Sequence, residues 1–186
     1  MRIRRTLGLG SLLVALVPAL AAGQETRTVG ITMGYPAALG VLWHASDKVA
    51  IRPELTFGGT STKTTSSSFD SEGDGWTIGT GVSAIFYLGP AADKLRTYVA
   101  PRFTYAHMSS TVKLSSVTNS STTTTGNGVG GFGLFGAQYA VGDRFTVFGE
   151  VAFGLTHSST TSSLLPTKGS GNSWGIHSGA GIVFYP

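Results

Sequence analysis

The sequence has no cysteine and little charge: Asp, Glu, Lys and Arg make up 12% of its 186 residues, against about 25% in an ordinary soluble domain. Without cysteine there is neither a disulfide framework nor a thiolate metal site, and four dispersed histidines offer no metal-ligand spacing. The positive charge is thinner than its total suggests. The formal charge is +4, but Arg2, Arg4 and Arg5 lie in the first five residues, and the 165 residues after Ala21 carry ten basic and nine acidic side chains. A chain so nearly neutral has no nucleic-acid footprint. Long apolar runs are scarce too. The longest, Leu7 to Leu20, falls short of the ~20 residues that a membrane helix needs.

That run has a different meaning. A basic start, a short apolar stretch and the small residues of Ala19-Leu20-Ala21 make a secretory signal, and Pro18 favours an extended, cleavable end. The expectation is an exported protein, with a signal peptide over 1–21 and one domain over 22–186. No cofactor is implied.

What remains is rich in alternation. Val49-Ala50-Ile51-Arg52-Pro53-Glu54-Leu55-Thr56-Phe57 places apolar residues at odd positions, and Trp76 to Phe86 places them mostly at even ones. Phe145, Val147, Val151, Phe153 and Leu155 form another such face, and Trp174, Ile176, Ala180, Ile182 and Phe184 the last. A period of two marks a strand with one apolar face. Thr97 to Met108 alternates less cleanly, and the glycine-rich Val129 to Tyr139 assigns no faces. With the shorter Thr28 to Tyr35 and Gly40 to His44 there are eight strands, the other six read as about 9–12 residues long.

Two kinds of connection alternate between them. Short turns fall at Ser46-Asp47-Lys48, Gly89 to Lys94 and Val141-Gly142-Asp143. Long polar stretches run Gly59 to Gly75, Ser109 to Asn127 and Ser158 to Asn172, and read as loops. In Thr60 to Ser68, 8 of 9 residues are Ser or Thr, close to low complexity. On that side only Pro36-Ala37-Ala38-Leu39 is short. Short turns at one end and long connections at the other describe an up-and-down antiparallel sheet whose ends face different solvents.

The face opposite the apolar one is mostly Gly, Ala, Ser and Thr. Such residues suit the narrow inside of an eight-stranded barrel, which turns Trp76, Phe103, Phe153, Trp174 and Phe184 outward. An outward apolar band makes sense in lipid, and a closed ring pairs every backbone group there. The fold expected is all-β, an eight-stranded antiparallel up-and-down transmembrane β-barrel; the competing reading is a soluble secreted barrel with its large residues inside.

The signal segment, the alternating connections and the ending Gly179-Ala180-Gly181-Ile182-Val183-Phe184-Tyr185-Pro186 resemble the small eight-stranded outer-membrane β-barrel family of Gram-negative bacteria, the OmpA/OmpX-like barrels. Ala50-Ile51-Arg52-Pro53-Glu54-Leu55 also looks like a motif that recurs there after the first short turn. The terminal Pro186 departs from the aromatic ending of such proteins. The resemblance implies short turns in the periplasm, long loops outside the cell, and a C-terminal strand read by the barrel-assembly machinery. It also implies outer-membrane lipid and lipopolysaccharide as surroundings, with the protein a monomer.

By the same parity Arg52, Glu54, Arg102 and Glu150 point inward, two charges of each sign. Isolated in a narrow interior they would be costly, so they should pair into a network that plugs the lumen; a gated path through it is the functional alternative. Some barrels of this size modify lipid A with a Ser, a His and an acid. His107 precedes Ser109 by two and His157 precedes Ser159 by two, but no acidic residue follows Glu150 and none lies between Asp93 and Asp143, which leaves the base without its orienting acid. His44 beside Trp43 reads as an interfacial pair, and Asp70, Glu72 and Asp74 as a solvated acidic loop that could weakly hold a divalent cation. Gly126 to Gly133 has phosphate-loop spacing with no helix after it, so close strand packing is the better account of those glycines.

The function expected is non-enzymatic: a structural, envelope-integrity or adhesion-type surface role. The alternatives are a narrow, porin-like pore for small solutes and a lipid A-modifying acyl hydrolase.

Overall fold

The computed structural model describes residues 28–35, 38–65, 70–90, 93–115, 120–164 and 168–186; the signal segment, its cleavage site and Pro36-Ala37 lie outside them. Eight strands run in chain order, β1 (Val29–Tyr35), β2 (Ala38–His44), β3 (Val49–Thr65), β4 (Asp70–Tyr87), β5 (Leu95–Ser115), β6 (Ser120–Ala140), β7 (Phe145–Ser162) and β8 (Lys168–Phe184). Each pairs antiparallel with the next, and β8 closes on β1 from Ile31↔Phe184 to Tyr35↔Ala180. The result is a closed up-and-down barrel with no helix among the described residues.

The tight turns follow local chemistry. Between β2 and β3, Ser46 Oγ accepts from the Lys48 and Val49 amides at 3.3 and 3.1 Å, while the Ala45 amide donates to the Val49 carbonyl at 2.9 Å. Between β6 and β7, the Val141 amide closes the turn on the Phe145 carbonyl at 2.9 Å.

The two strands read as short are short, but the other six exceed the 9–12 residues expected of them. β1 and β2 have 7 residues each, whereas the other six have 17 to 21. Among the described residues, the three polar stretches read as long loops are strand up to Thr65, Ser115 and Ser162 and again from Asp70, Ser120 and Lys168. β3 and β4 stay in register from Val49↔Phe86 to Thr65↔Asp70, β5 and β6 out to Leu114↔Ser120, and β7 and β8 out to Thr161↔Lys168. Threonine is β-branched and fits a pleated surface, so a Ser/Thr tract with no apolar face still extends a ladder. Hydroxyl contacts such as Thr111–Thr123 at 3.1 Å and Thr156–Ser173 at 2.7 Å tie the extensions together.

Alternation sets inside from outside. Inward lie Leu42, Ala50, Ile85, Tyr98, Ala100, Leu134, Ala152 and Val183, all buried. Outward lie the large apolar residues, with Phe103, Phe153 and Trp174 at 59%, 56% and 75% exposure. This is the reverse of a soluble barrel, in which such residues would be the core. β6, whose faces the sequence leaves open, turns its even positions inward. Two inward glycines, one on β7 and one on β6, are required by close approach: a Cβ on Gly154 would run into the Phe132 ring, and one on Gly136 would lie 2.5 Å from Tyr98 Cζ. These glycines leave room for large lumen side chains. Gly131 and Gly133, which face outward, have nothing within 4 Å.

Candidate functional site: the lumen

Arg52 and Glu54 stand two apart on β3 and therefore share its inner face; Arg102 on β5 and Glu150 on β7 face them. Registers join Arg52 to Ser83 and Ser83 to Arg102 across the β3–β4–β5 wall, so the two arginines enter at one level. Each arginine contacts both glutamates. Arg52 Nη2 lies 2.6 Å from Glu150 Oε1 and Arg52 Nε 3.1 Å from Glu54 Oε1, while Arg102 Nη2 lies 2.6 Å from Glu54 Oε2 and 3.6 Å from Glu150 Oε2. Each carboxylate thus gives Oε1 to Arg52 and Oε2 to Arg102, a closed ring of four alternating charges.

Neutral groups complete it. Tyr98 OH donates to Glu150 Oε1 at 2.7 Å, and Arg102 Nε donates to Ser83 Oγ at 2.9 Å. The Arg52 guanidinium lies 5.1 Å over the Phe148 ring. Arg52 Nε sits off the hydrogen-bond direction and has no such partner, so its contact with Glu54 is electrostatic. Arg52, Glu54 and Glu150 are buried, whereas the Arg102 side chain keeps 22% of its surface.

A second layer closes the short-turn end. Tyr87 OH donates to Gln138 Oε1 at 3.2 Å. The Arg96 guanidinium stacks 3.7 Å over the Tyr87 ring and donates to the Asp47 carbonyl. His44 stacks on Tyr87 at 5.6 Å and lies 3.1 Å from Tyr185 OH. His44 and Trp43 therefore point to opposite faces, His44 to this layer and Trp43 outward at 45% exposure, which corrects their reading as an interfacial pair. Sequence reasoning missed Tyr87, Arg96, Tyr98 and Gln138. The parity that turned Arg102 inward also turns Arg96 and Tyr98 inward, and was legible on β5.

Among the outward residues, Trp76 is 52% exposed and packs against His107 at 5.5 Å; Phe184 is half-buried against Phe145 at 5.1 Å. His107 and His157 also face out. Each is held by an asparagine on the neighbouring strand: His107 Nδ1 lies 2.8 Å from Asn127 Oδ1, and His157 Nδ1 lies 2.7 Å from Asn172 Oδ1. Tyr105 OH donates to the same Asn127 oxygen at 2.9 Å. Among the described residues no hydrogen bond joins His107 to Ser109 or His157 to Ser159. Asp70, Glu72 and Asp74 are strand rather than loop, exposed along one face of β4, with Asp74 accepting from Ser61 Oγ at 2.8 Å. No group of three or more potential metal ligands forms among the described residues.

Above the charge ring, on the side of the long strands, the lumen opens into a cavity of about 530 Å³ lined by Arg102, Phe132, Leu134, Phe148 and His177 among others. Neither a family model nor a curated protein matches the chain. Among solved structures it is similar to CarO2 of Acinetobacter baumannii (14% identity, 86% of this chain and 97% of that one, TM-score 0.46). It is also similar to a major outer membrane protein of Thermus thermophilus (10% identity, 84% and 97%, TM-score 0.49). A third is Ail, the attachment invasion locus protein of Yersinia pestis (15% identity, 84% and 95%, TM-score 0.36).

Proposed function

We propose that the chain is a non-enzymatic barrel of the bacterial outer membrane, exported with loss of its first 21 or so residues, and that it serves envelope integrity or surface contact. The observation that carries this is the pairing of two surfaces. The outer wall exposes a band of large apolar side chains, Phe103, Phe153 and Trp174 among them, that suits lipid. The inner wall pairs four of its charges with one another in the Arg52–Glu54–Arg102–Glu150 ring, and Arg96 is held on the Tyr87 ring and the Asp47 carbonyl. Above the apolar band the paired extensions β3–β4, β5–β6 and β7–β8 present mainly Ser and Thr hydroxyls, with Lys63, Asp70, Glu72, Asp74, Lys113 and Lys168 spaced among them. Such a surface suits hydroxyl-rich polymers, the sugars of lipopolysaccharide first. It lacks the Trp, Tyr and Arg anchors of a tight protein receptor.

The test is mobility on an SDS gel of the protein taken from an outer-membrane fraction, with and without boiling. A folded membrane barrel resists SDS until heated, so the expected result is a shift on boiling. Recovery from the soluble periplasm with no shift overturns the membrane placement. A deletion strain should then admit bulky hydrophobic dyes faster; an altered lipid A profile in that strain overturns the non-enzymatic reading.

A further inference from the structure

The barrel wall is not of even height. β1 and β2 have 7 residues, while β3 and β8 beside them have 17 each. The last pairs at the top of the short hairpin are Tyr35↔Ala180 and Ala38↔Thr56. Beyond them, among the described residues, β3 from Phe57 to Thr65 pairs with β4 alone, and β8 from Lys168 to Gly179 pairs with β7 alone. Two strands are missing from the wall at that level. At ~4.8 Å per strand spacing, the gap between β3 and β8 is about 14 Å wide.

The gap opens at membrane depth. A seven-residue strand is about 23 Å long and, tilted by ~35–45°, rises about 16–19 Å, short of the ~25 Å apolar band of an outer-membrane barrel. The side chains flanking the gap agree: Phe57 on β3 and Ile176 and Trp174 on β8 lie above the hairpin's end and are 63%, 74% and 75% exposed, apolar where a water-facing rim would be polar. The lumen cavity reaches this gap, because Tyr35 and Ala38 at the hairpin's end and Ile176 and Gly179 on the β8 edge line it together with Leu134 and Ala152 inside.

The lining states what would fit. Phe132, Leu134, Phe148 and Ala152 supply apolar walls, and the volume of about 530 Å³ is within the ~300–1,000 Å³ of small-molecule sites. Polar groups line the floor, where Arg102 is the most exposed member of the charge ring, and Thr56 and Thr104 line the same cavity. Two arginines already face two glutamates. A charged head would therefore leave one buried charge unpaired, whereas hydroxyls accept from Arg102 or donate to the carboxylates, and an ester carbonyl accepts from Arg102.

We propose that the gap between β3 and β8 is a lateral portal through which a neutral single-chain amphiphile, of the monoacylglycerol class, passes from the outer leaflet into the lumen and sits head-down on Arg102. This rests on the membrane placement proposed above.

The test is carried out on the barrel in bilayers of deuterated phospholipid, with 1-decanoylglycerol added as the only protonated chain. Expected are NMR magnetisation transfers from its acyl protons to the inward methyls of Leu134 and Ala152, and their loss when the β1–β2 hairpin is lengthened between Tyr35 and Ala38 to the height of β3. Transfers only to outward methyls such as Val147 and Val151 overturn the site. Transfers that survive the lengthened hairpin, with its heat-shifted gel mobility retained, overturn the portal. Failure of the unaltered protein to shift on the gel would instead count against the membrane placement.

Discussion

Arg52 and Glu150 meet at 2.6 Å from strands β3 and β7, four strands apart and so on opposite sides of an eight-stranded ring. Their contact spans the lumen, and the remaining pairs of the charge ring lock it from both sides. Glu150 is the member that also accepts from Tyr98, so its loss takes a partner from Arg52, Arg102 and Tyr98 at once.

Glu150→Gln therefore leaves two arginines facing one carboxylate in a buried site, and breaking such a pair costs about 3–5 kcal/mol. Urea unfolding of the barrel in vesicles should show a lower midpoint of that order. Arg52→Met combined with Glu150→Leu should cost less than the sum of the two single changes, because the double variant strands neither charge. Additive costs would show that the two residues do not act as a pair.

The same ring should block ions. In a planar bilayer the unaltered protein is expected to show no current above leak, because the charge ring and the Tyr87–Gln138–Arg96 layer fill the lumen in succession. Replacing Arg52, Glu54, Arg102 and Glu150 together by alanine removes the upper plug and should raise the leak once Tyr87, Arg96 and Gln138 of the second layer are replaced by alanine as well. A steady conductance in the unaltered barrel that vanishes with Glu150→Gln would instead make the ring a conducting path.

Glycines in one strand should respond in opposite ways to the same substitution. Gly136 faces in, where a Cβ would meet Tyr98, while Gly133 faces out with nothing near. Gly136→Val should destabilise by about 1–3 kcal/mol through overpacking. Gly133→Val should be neutral or stabilising, since it adds a β-branched residue to an exposed strand face. Equal effects, read from the same urea midpoints, would mean that β6 does not hold this parity.

How much of this was legible follows from what a period of two encodes. Arg52, Glu54, Arg102 and Glu150 could be turned inward because apolar neighbours mark the opposite face, and no knowledge of the register was needed to see that they form a neutral set. Who touches whom was not legible, since it depends on how β3, β5 and β7 are staggered. Tyr98 was passed over because an aromatic is read as outward in such a pattern, although its parity matches Arg102. The polar extensions were misread for a physical reason: Thr60 to Thr65 or Thr122 to Thr125 has no apolar face, and without one alternation leaves no trace. The unequal height of the wall escaped for the same reason, because it follows from where those extensions end.

The outward band should tolerate charge only near its rims. Phe153 on β7 lies amid apolar neighbours, paired with Gly133 and Ile176, whereas Thr161 on the same strand and face lies in the polar extension, paired with Thr125 and Lys168. An arginine at the midplane of an outer-membrane barrel costs about 2–4 kcal/mol, and near the interface about 0–1 kcal/mol. Phe153→Arg should therefore lower the unfolding midpoint in vesicles strongly, and Thr161→Arg hardly at all. The contrast should vanish in the unfolded chain's binding to vesicles, where neither position has a fixed depth. If Phe153→Arg is as mild as Thr161→Arg, the face bearing Phe153 is not in hydrocarbon, and the outward aromatic residues would have to meet a protein partner rather than lipid.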